Sequence, residues 1–425
     1  MTNTTIPDRP DETWVPPVRP EWVQRVIDEG AFMDIKGIVP LDAESLIATA
    51  KKNTGLSDFG DELWYEPFTI LVKAIDEEAE QHLMGRLLTR SHLLLLLEAR
   101  LRIEDTYKKH PEIDDEVIKS PFFIIGQGRT GTSILQRIMA AGPDNGTFMT
   151  WESLMPYPPP EKATYLTDPR IEKVNNLVTQ WARVAPELEY MHEYRGYLPT
   201  ENPHIQAIGF RSPGLFAIYF GLVPSYQAYI SKQDRALEYR YEKRVLKYLQ
   251  WKNPRKYWIL KSPYSLLEVP YILKVYPDVK IIWTHRDPIK AKASVVNLIG
   301  SRLRMVTNNV SGKFLAPFSR PDASAAMMSQ PIDWIEQGIL PKAQLCSIQY
   351  KDFVRDPVAT IGEIYKYFHM EMTPETRAAM QKSVDDNPRE NMPEYKYSAG
   401  SAETIRHERE LFKRYQDYFS VASEV

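Results

Sequence analysis

The stretch IIGQGRTGTSIL, residues 124–135, decides the fold. It nearly spells a nucleoside-triphosphate loop: Gly126 and Gly131 lie five apart, and Ser133 falls where that motif wants Ser or Thr. The Lys that should follow the second glycine is Thr132, however, and Arg129 comes three residues too early. Before the loop, Phe122 to Ile125 is a short apolar run; after it, Ile134, Leu135, Ile138 and Met139 share one helical face. A Gly-rich turn from strand to helix gathers backbone N–H groups at the positive end of the helix, where an anion binds. Here the cation leaves from the loop itself, and Thr130, Thr132 and Ser133 can each offer a hydroxyl. The segment reads as a cradle for one phosphate with Arg129 at its outer edge. The bland alternative is a Gly-containing connection with a surface Arg.

Further strands are expected at YWILK (257–261), VKIIWTH (279–285) and LCSIQY (345–350), each followed by helical sequence. Short continuous apolar strands alternating with helices predict a parallel sheet covered on both faces. In HRDPIKAKAS (285–294), Asp287 can cap a helix and Pro288 suits its first position. That puts Arg286 at a strand end and Ser294 on the new helix, eight residues later. Lys261 ends another strand. Three cation-bearing strand ends should converge at the C-terminal edge of the sheet, where such folds bind ligands.

Residues 1–20 are expected to form an extended arm, 21–117 a helical region and 118–425 the α/β domain. Within the helical region, SLIATAKKNTGL should stop at Gly55. WESLMPYPPP (151–160) is expected to be a loop, and DRALEYRYEKRVLKYLQWKNP a long amphipathic helix ending near Pro254. The chain is 43% hydrophobic and 26% charged, as in ordinary globular proteins. A net charge of −3 provides no global field towards nucleic acid or anionic membrane. The single cysteine, Cys346, lies in the apolar run QLCSIQY and reads as a buried structural thiol in a reducing compartment.

The polar, proline-rich first residues do not read as a signal peptide. The leucine run in HLLLLLEARL falls far short of the roughly 20 residues of a membrane span. A cytoplasmic location without a membrane span or nucleic-acid partner is therefore expected. The eight histidines show no pair at metal-ligand spacing, so no metal site is expected. SDFGD and HRDP are decoys for a protein kinase: their order is reversed, and Lys292 stands where the catalytic-loop Asn belongs.

With GRTGTS (128–133) and HRDPIKAKAS both in place, the chain resembles the sulfotransferases that use 3′-phosphoadenosine 5′-phosphosulfate (PAPS), of the bacterial type with an N-terminal helical region. Flanking stretches agree: TGLSDFGDELW, WESLMPYPPP, LKSPYSLLEVPYILKVYPDVKIIWTHRDP and YKDFVRDPVATIGEIYKYF. The similarity runs from about residue 40 to about 420. The resemblance implies a P-loop-like parallel sheet flanked by helices. It implies in-line sulfuryl transfer from PAPS, without a metal, to a hydroxyl or less often an amine. Gly128, Arg129, Thr130, Gly131, Thr132 and Ser133 would hold the 5′-phosphosulfate; Arg286 and Ser294 would hold the 3′-phosphate. Arg129 and Lys261 would stabilise charge on the leaving oxygen.

The sequence departs from its relatives at the general base. Pro263 and Ser265 stand where histidines occur in other branches, so the base is sought in YMHEYRGYLPTENPH (190–204), with Glu201 first and His192 second. For each, capping or packing is the competing reading. His285 is expected to orient the strand end. Tyr350, Lys396 and Tyr397 fall in stretches that relatives carry near the adenosine. Phe210, Phe216, Tyr219 and Phe220 are core or the lining of an acceptor pocket for a hydrophobic alcohol, phenol, sterol or lipid. Homo-oligomerisation stays open. Two rival readings also stand: a nucleotide-binding homologue without catalysis, and a P-loop nucleotide kinase.

Overall fold

The computed structural model describes residues 16–310, 315, 319–388 and 400–425, apart from the side chains of residues 293 and 294. Most of the arm expected at 1–20 lies outside the described residues. Helices α1 (Glu21–Gly30), α2 (Ala43–Thr54), α3 (Tyr65–Glu78) and α4 (Leu83–Lys109) follow. As expected, α2 ends on Gly55, whose φ of 72° lies in the left-handed region.

Five strands form the sheet: β1 (Phe122–Ile125), β2 (Asn145–Gly146), β3 (Tyr257–Lys261), β4 (Lys280–His285) and β5 (Leu345–Gln349). Their order is β2-β3-β1-β4-β5, and every pairing is parallel. The connections carry α5 (Thr132–Ala140), α6 (Pro169–Val184), α7 (Ala236–Gln250) and α8 (Pro288–Arg304); α9 (Ala402–Phe419) comes last. Asp287 caps α8 by accepting from the Ile289 N–H, with Pro288 in the first turn. None of the described helices is long and apolar enough to cross a membrane.

Both faces of the sheet are dry, which is why its strands read as continuous apolar runs. Phe123, Ile125, Trp258, Leu260, Ile281 and Trp283 point to a core shared with α3, α4, α7 and α9. Their neighbours Phe122, Ile124, Ile259, Ile282 and Cys346 point the other way, onto Leu135, Ile138 and Met139 of α5 and the helix Pro357–Tyr367. Burial pushes the Cys346 thiol up to about 12, so it stays a protonated packing group.

The sequence missed β2, which is only two residues long. The expected loop at 151–160 begins instead as a short helix, Thr150–Leu154. Glu152 makes the turn there. Its carboxylate accepts from the Met149 N–H at 2.8 Å and pairs with the buried Arg255 at 2.6 Å.

Register brings the site together. Ile124 is level with Lys261 and Ile125 with Trp283, so the loop after β1, the end of β3 and Arg286 after β4 leave the same edge. Because the N-terminal helices share a core with the sheet, the variant Leu97→Ala on α4 should lower the stability of the whole chain. A fully buried leucine is worth about 2–5 kcal/mol. Calorimetry should show one shifted transition; a separate early transition would mean that 21–117 folds as its own unit.

Candidate active site

The chain leaves β1 through Gly126 at φ 143°, where a Cβ would sit 2.6 Å from the Thr284 hydroxyl on β4. Thr130 pins the loop, donating to the Gln127 carbonyl at 2.7 Å and sharing a 2.6 Å hydrogen bond with the Thr284 hydroxyl. Gly131, at φ 86°, is the N-cap of α5, and a Cβ there would meet the Tyr350 ring at 3.1 Å. Arg129 holds a left-handed φ of 71°, a conformation that costs a side-chain-bearing residue about 1–2 kcal/mol. Its guanidinium donates to the Met191 carbonyl at 2.7 Å. Its own carbonyl accepts from Arg286 at 3.1 Å.

Lys261 links this loop to the 190–204 segment. Its backbone N–H donates to Asn202 Oδ1 at 2.7 Å. Its Nζ donates to Ser133 Oγ at 3.0 Å and to Glu201 Oε1 at 2.5 Å. The lysine side chain is 2% exposed and the glutamate 17%. Burial pushes the Glu201 carboxyl up, but the Lys261 ammonium and His192 outweigh it and hold the group below its ordinary value. Glu201 is therefore a carboxylate at neutral pH.

Burial, with help from the nearby cations of Lys261, Arg302 and Arg129, brings His192 down to about 4 against the opposing pull of Glu201. It is a neutral imidazole at pH 7. The four residues expected to do the chemistry, Arg129, His192, Glu201 and Lys261, are thus close enough to feel one another's charge. Ser265, at one of the missing histidine positions, is buried and accepts from Tyr239 at 2.8 Å.

Arg286 presents a fork. Nε and Nη2 donate to the two carboxylate oxygens of Glu424 at 2.8 and 2.9 Å, and the guanidinium lies 4.2 Å from the centre of the Tyr350 ring. The C-terminal segment reaches it because the Glu424 N–H donates to Asp287 at 2.6 Å and Arg409 clamps the same aspartate. A carboxylate on this fork presents two oxygens much as a phosphate does. The geometry therefore fits a phosphate group at Arg286. The Ser294 side chain, Lys396 and Tyr397 lie outside the described residues. His285 is buried against α9, with Nδ1 2.9 Å from the Tyr415 hydroxyl and its ring stacked on Phe419.

Among the aromatics singled out in the sequence, Phe210 packs on Trp64 and Phe68, and Phe216 stacks on Phe220, all in the core. Tyr219 behaves differently. Its hydroxyl lies 3.2 Å from His204 Nε2, and it borders a small recess with His92, Trp181 and Arg302. Sequence reading missed Asn202, Arg302 and Glu424. Asn202 directly follows Glu201 at a helix start, and Arg302 interrupts the apolar spacing of Leu298, Ile299 and Leu303 on α8; both were findable signals. Nothing in the sequence marks Glu424.

A sequence model of the sulfotransferase family matches residues 121–374. The omega-hydroxy-beta-dihydromenaquinone-9 sulfotransferase of Mycobacterium bovis is 22% identical over 267 residues, covering 58% of this chain and 62% of that one. The match thus spans less than two thirds of that relative's length. The crystal structure of sulfotransferase STF1 from Mycobacterium tuberculosis H37Rv superposes with a TM-score of 0.74 at 26% identity, over 87% of this chain and 98% of that one. Sulfotransferase STF9 from Mycobacterium avium gives 0.77 at 23% identity, over 90% and 98%, and shares the fold.

The buried histidines make stability depend on pH. His192 and His204 are drawn down to about 4, and His92 and His285 to about 3, in each case first by burial. The unfolded chain binds these protons near pH 6.5 and the folded chain only much lower. Their contribution is therefore complete above about pH 6.5 and is lost as pH falls towards 4. A thermal melt series should show Tm constant from pH 8 to 7 and falling between pH 6.5 and 4.5. A Tm that rises on acidification would contradict neutral buried imidazoles.

Proposed function

Because the chain belongs to the sulfotransferase family, we propose that it moves a sulfuryl group from PAPS to a hydroxyl of a small, lipid-like acceptor. One observation carries this reading. Lys261 is a donor to the phosphate-type loop at Ser133 and to a carboxylate at Glu201 at the same time. A nucleotide cradle and a proton acceptor are thus joined by one cation. The lipid-like acceptor is supported by the hydroxylated menaquinone named for the mycobacterial relative.

PAPS, when bound, supplies the sulfuryl group and two separate anions for the chain to hold. Residues 128–133 would hold its 5′ end, and Arg286, with Ser294, the 3′-phosphate. Arg286 would exchange the Glu424 carboxylate for that phosphate. Glu201 takes the proton of the acceptor hydroxyl. Lys261 and Arg129 would stabilise the oxygen on which charge grows, and one such fixed donor is typically worth about 3 kcal/mol. Protonation of Glu201 also releases Lys261 from its countercharge, so the ammonium acts more strongly on the loop side as the acceptor is activated. Neutral His192 is the second proton acceptor within reach of the same charges.

Glu201→Gln should lower kcat by about 10²-fold or more and leave the affinity for 3′-phosphoadenosine 5′-phosphate (PAP) within a few-fold, while His192→Asn should have a small effect. The reverse pattern would make His192 the base. With both groups held well below 6.5, the acid limb of the rate profile should lie below about pH 5; a limb near 6.5 would exclude both.

Calorimetry should show PAP binding more tightly than ADP without magnesium; equal affinity, or a magnesium requirement, would count against a PAPS site. Removing the competing carboxylate with Glu424→Gln should tighten PAP binding roughly ten-fold, the worth of one charged contact. Unchanged affinity would mean that Glu424 and the 3′-phosphate do not share Arg286.

A further inference from the structure

Arg286 and Tyr350 leave the sheet side by side. β4 and β5 are level at His285 and Gln349, so the next residue of each strand emerges at the same height. Tyr350 opens the helix Tyr350–Arg355, and the Arg286 guanidinium lies over its ring, 4.2 Å from the centre. The same ring reaches the phosphate-type loop. A Cβ on Gly131 would sit 3.1 and 3.2 Å from its Cδ2 and Cε2, tighter than side chains normally pack. One turn on, Phe353 comes within 3.4 Å of the same point and packs with Leu135 of α5. One ring thus touches both candidate anion seats, the loop at 128–133 and the fork at Arg286.

The guanidinium uses its edge and its face differently. Nε and Nη2 donate to Glu424, and Nη1 donates to the Arg129 carbonyl at 3.1 Å. The ring takes the face. A phosphate in place of Glu424 would take the Nε–Nη2 edge and leave the ring contact as it is. The Arg286 side chain is 14% exposed, and an aromatic face restrains its plane without using a donor. The Tyr350 hydroxyl makes no hydrogen bond among the described residues, so it is the ring that its neighbours meet.

Spacing is what tells one adenine nucleotide from another at a pair of anion seats. ADP joins its two phosphates through one oxygen. A 3′,5′-bisphosphate sets them apart across the ribose, and a 2′,5′-bisphosphate moves the second to the neighbouring carbon. Seats that drift would accept all three. Seats packed on one rigid ring favour a single separation, because close-packed groups hold their positions and lose little freedom on binding. We infer that Tyr350 is a positioning residue: its ring, against Gly131 and beneath Arg286, gauges the gap between the two seats and selects a nucleoside 3′,5′-bisphosphate over its 2′,5′ isomer. This rests on the reading of Arg286 as the 3′-phosphate seat, and it assigns the ring to the protein's own cation.

The test is calorimetry with PAP, adenosine 2′,5′-bisphosphate and AMP on the wild type, Tyr350→Phe and Tyr350→Leu. The wild type should bind PAP roughly ten-fold or more tightly than either of the others. Tyr350→Phe keeps the ring and should keep the preference. Tyr350→Leu should bind PAP and its isomer within about three-fold of each other. Its AMP affinity should stay within a few-fold of the wild type, because the loop still holds the 5′-phosphate. Tyr350→Met, also without a ring, takes its place should the leucine variant not fold.

A preference that survives in Tyr350→Leu would overturn the inference. So would its loss in Tyr350→Phe, which would move the role to the hydroxyl. Equal weakening of all three nucleotides in Tyr350→Leu would make the ring ordinary packing and overturn it too. The wild type tells this inference from the donor reading. Preference for PAP over AMP but not over the isomer would remove the gauge and leave the 3′-phosphate seat. No preference over AMP would remove the seat, and the gauge with it.

Discussion

The contact between Lys261 and Glu201 is the constraint on which the site depends. Both side chains are largely out of water, and breaking such a pair by removing one partner costs about 3–5 kcal/mol, because the other charge is left stranded. The pair therefore fixes where the 190–204 segment lies against the end of β3. Asn202 strengthens the junction by accepting from the Lys261 backbone. With that segment in place, the Met191 carbonyl is available to Arg129, and the loop after β1 is held from both ends. A displaced Lys261 would uncouple the phosphate-type loop at Ser133 from Glu201.

Burial sets the chemistry of the imidazoles around this pair. It forces the imidazoles of His192 and His204 to stay neutral, while the adjacent ammonium keeps Glu201 charged. A charged carboxylate thus stands beside neutral histidines at the same pH, as unequal neighbours produce among buried groups. Among the described residues, Arg302 rests over the rings of Tyr219 and Tyr194. Arg286 shows the opposite solution, borrowing the Glu424 carboxylate from the far end of the chain.

The N-terminal helices contribute more than a cover for the back of the sheet. α4 runs from the main core, where Leu96 and Leu97 are buried, to the recess, where Thr89 and His92 form a wall. His92 stacks on Trp181 of α6 with its ring 5.6 Å away and meets Tyr219 edge-on. The same helix that completes the fold also walls the recess at Tyr219, which meets His204 next to Glu201, so packing changes on α4 reach the site through rigid, close-packed side chains.

The sequence by itself determined the backbone grammar: β1, its glycine turn and α5, the strands ending in Lys261 and His285, and the Asp287 cap that puts Arg286 at the sheet edge. These are local matters of periodicity, positive φ and capping, settled by residues within a few positions of each other. Family likeness in a separate stretch, 190–204, pointed to Glu201, and the ordinary pKa of an imidazole pointed to His192. Tertiary structure alone decided which of these side chains meet. Glu201 lies 60 residues from the lysine that charges it, and Glu424 lies 138 from the arginine it occupies. It also decided that Phe210 and Phe216 are core while Tyr219 edges a small recess. No local pattern encodes those outcomes, because desolvation and pairing depend on what the rest of the chain brings alongside.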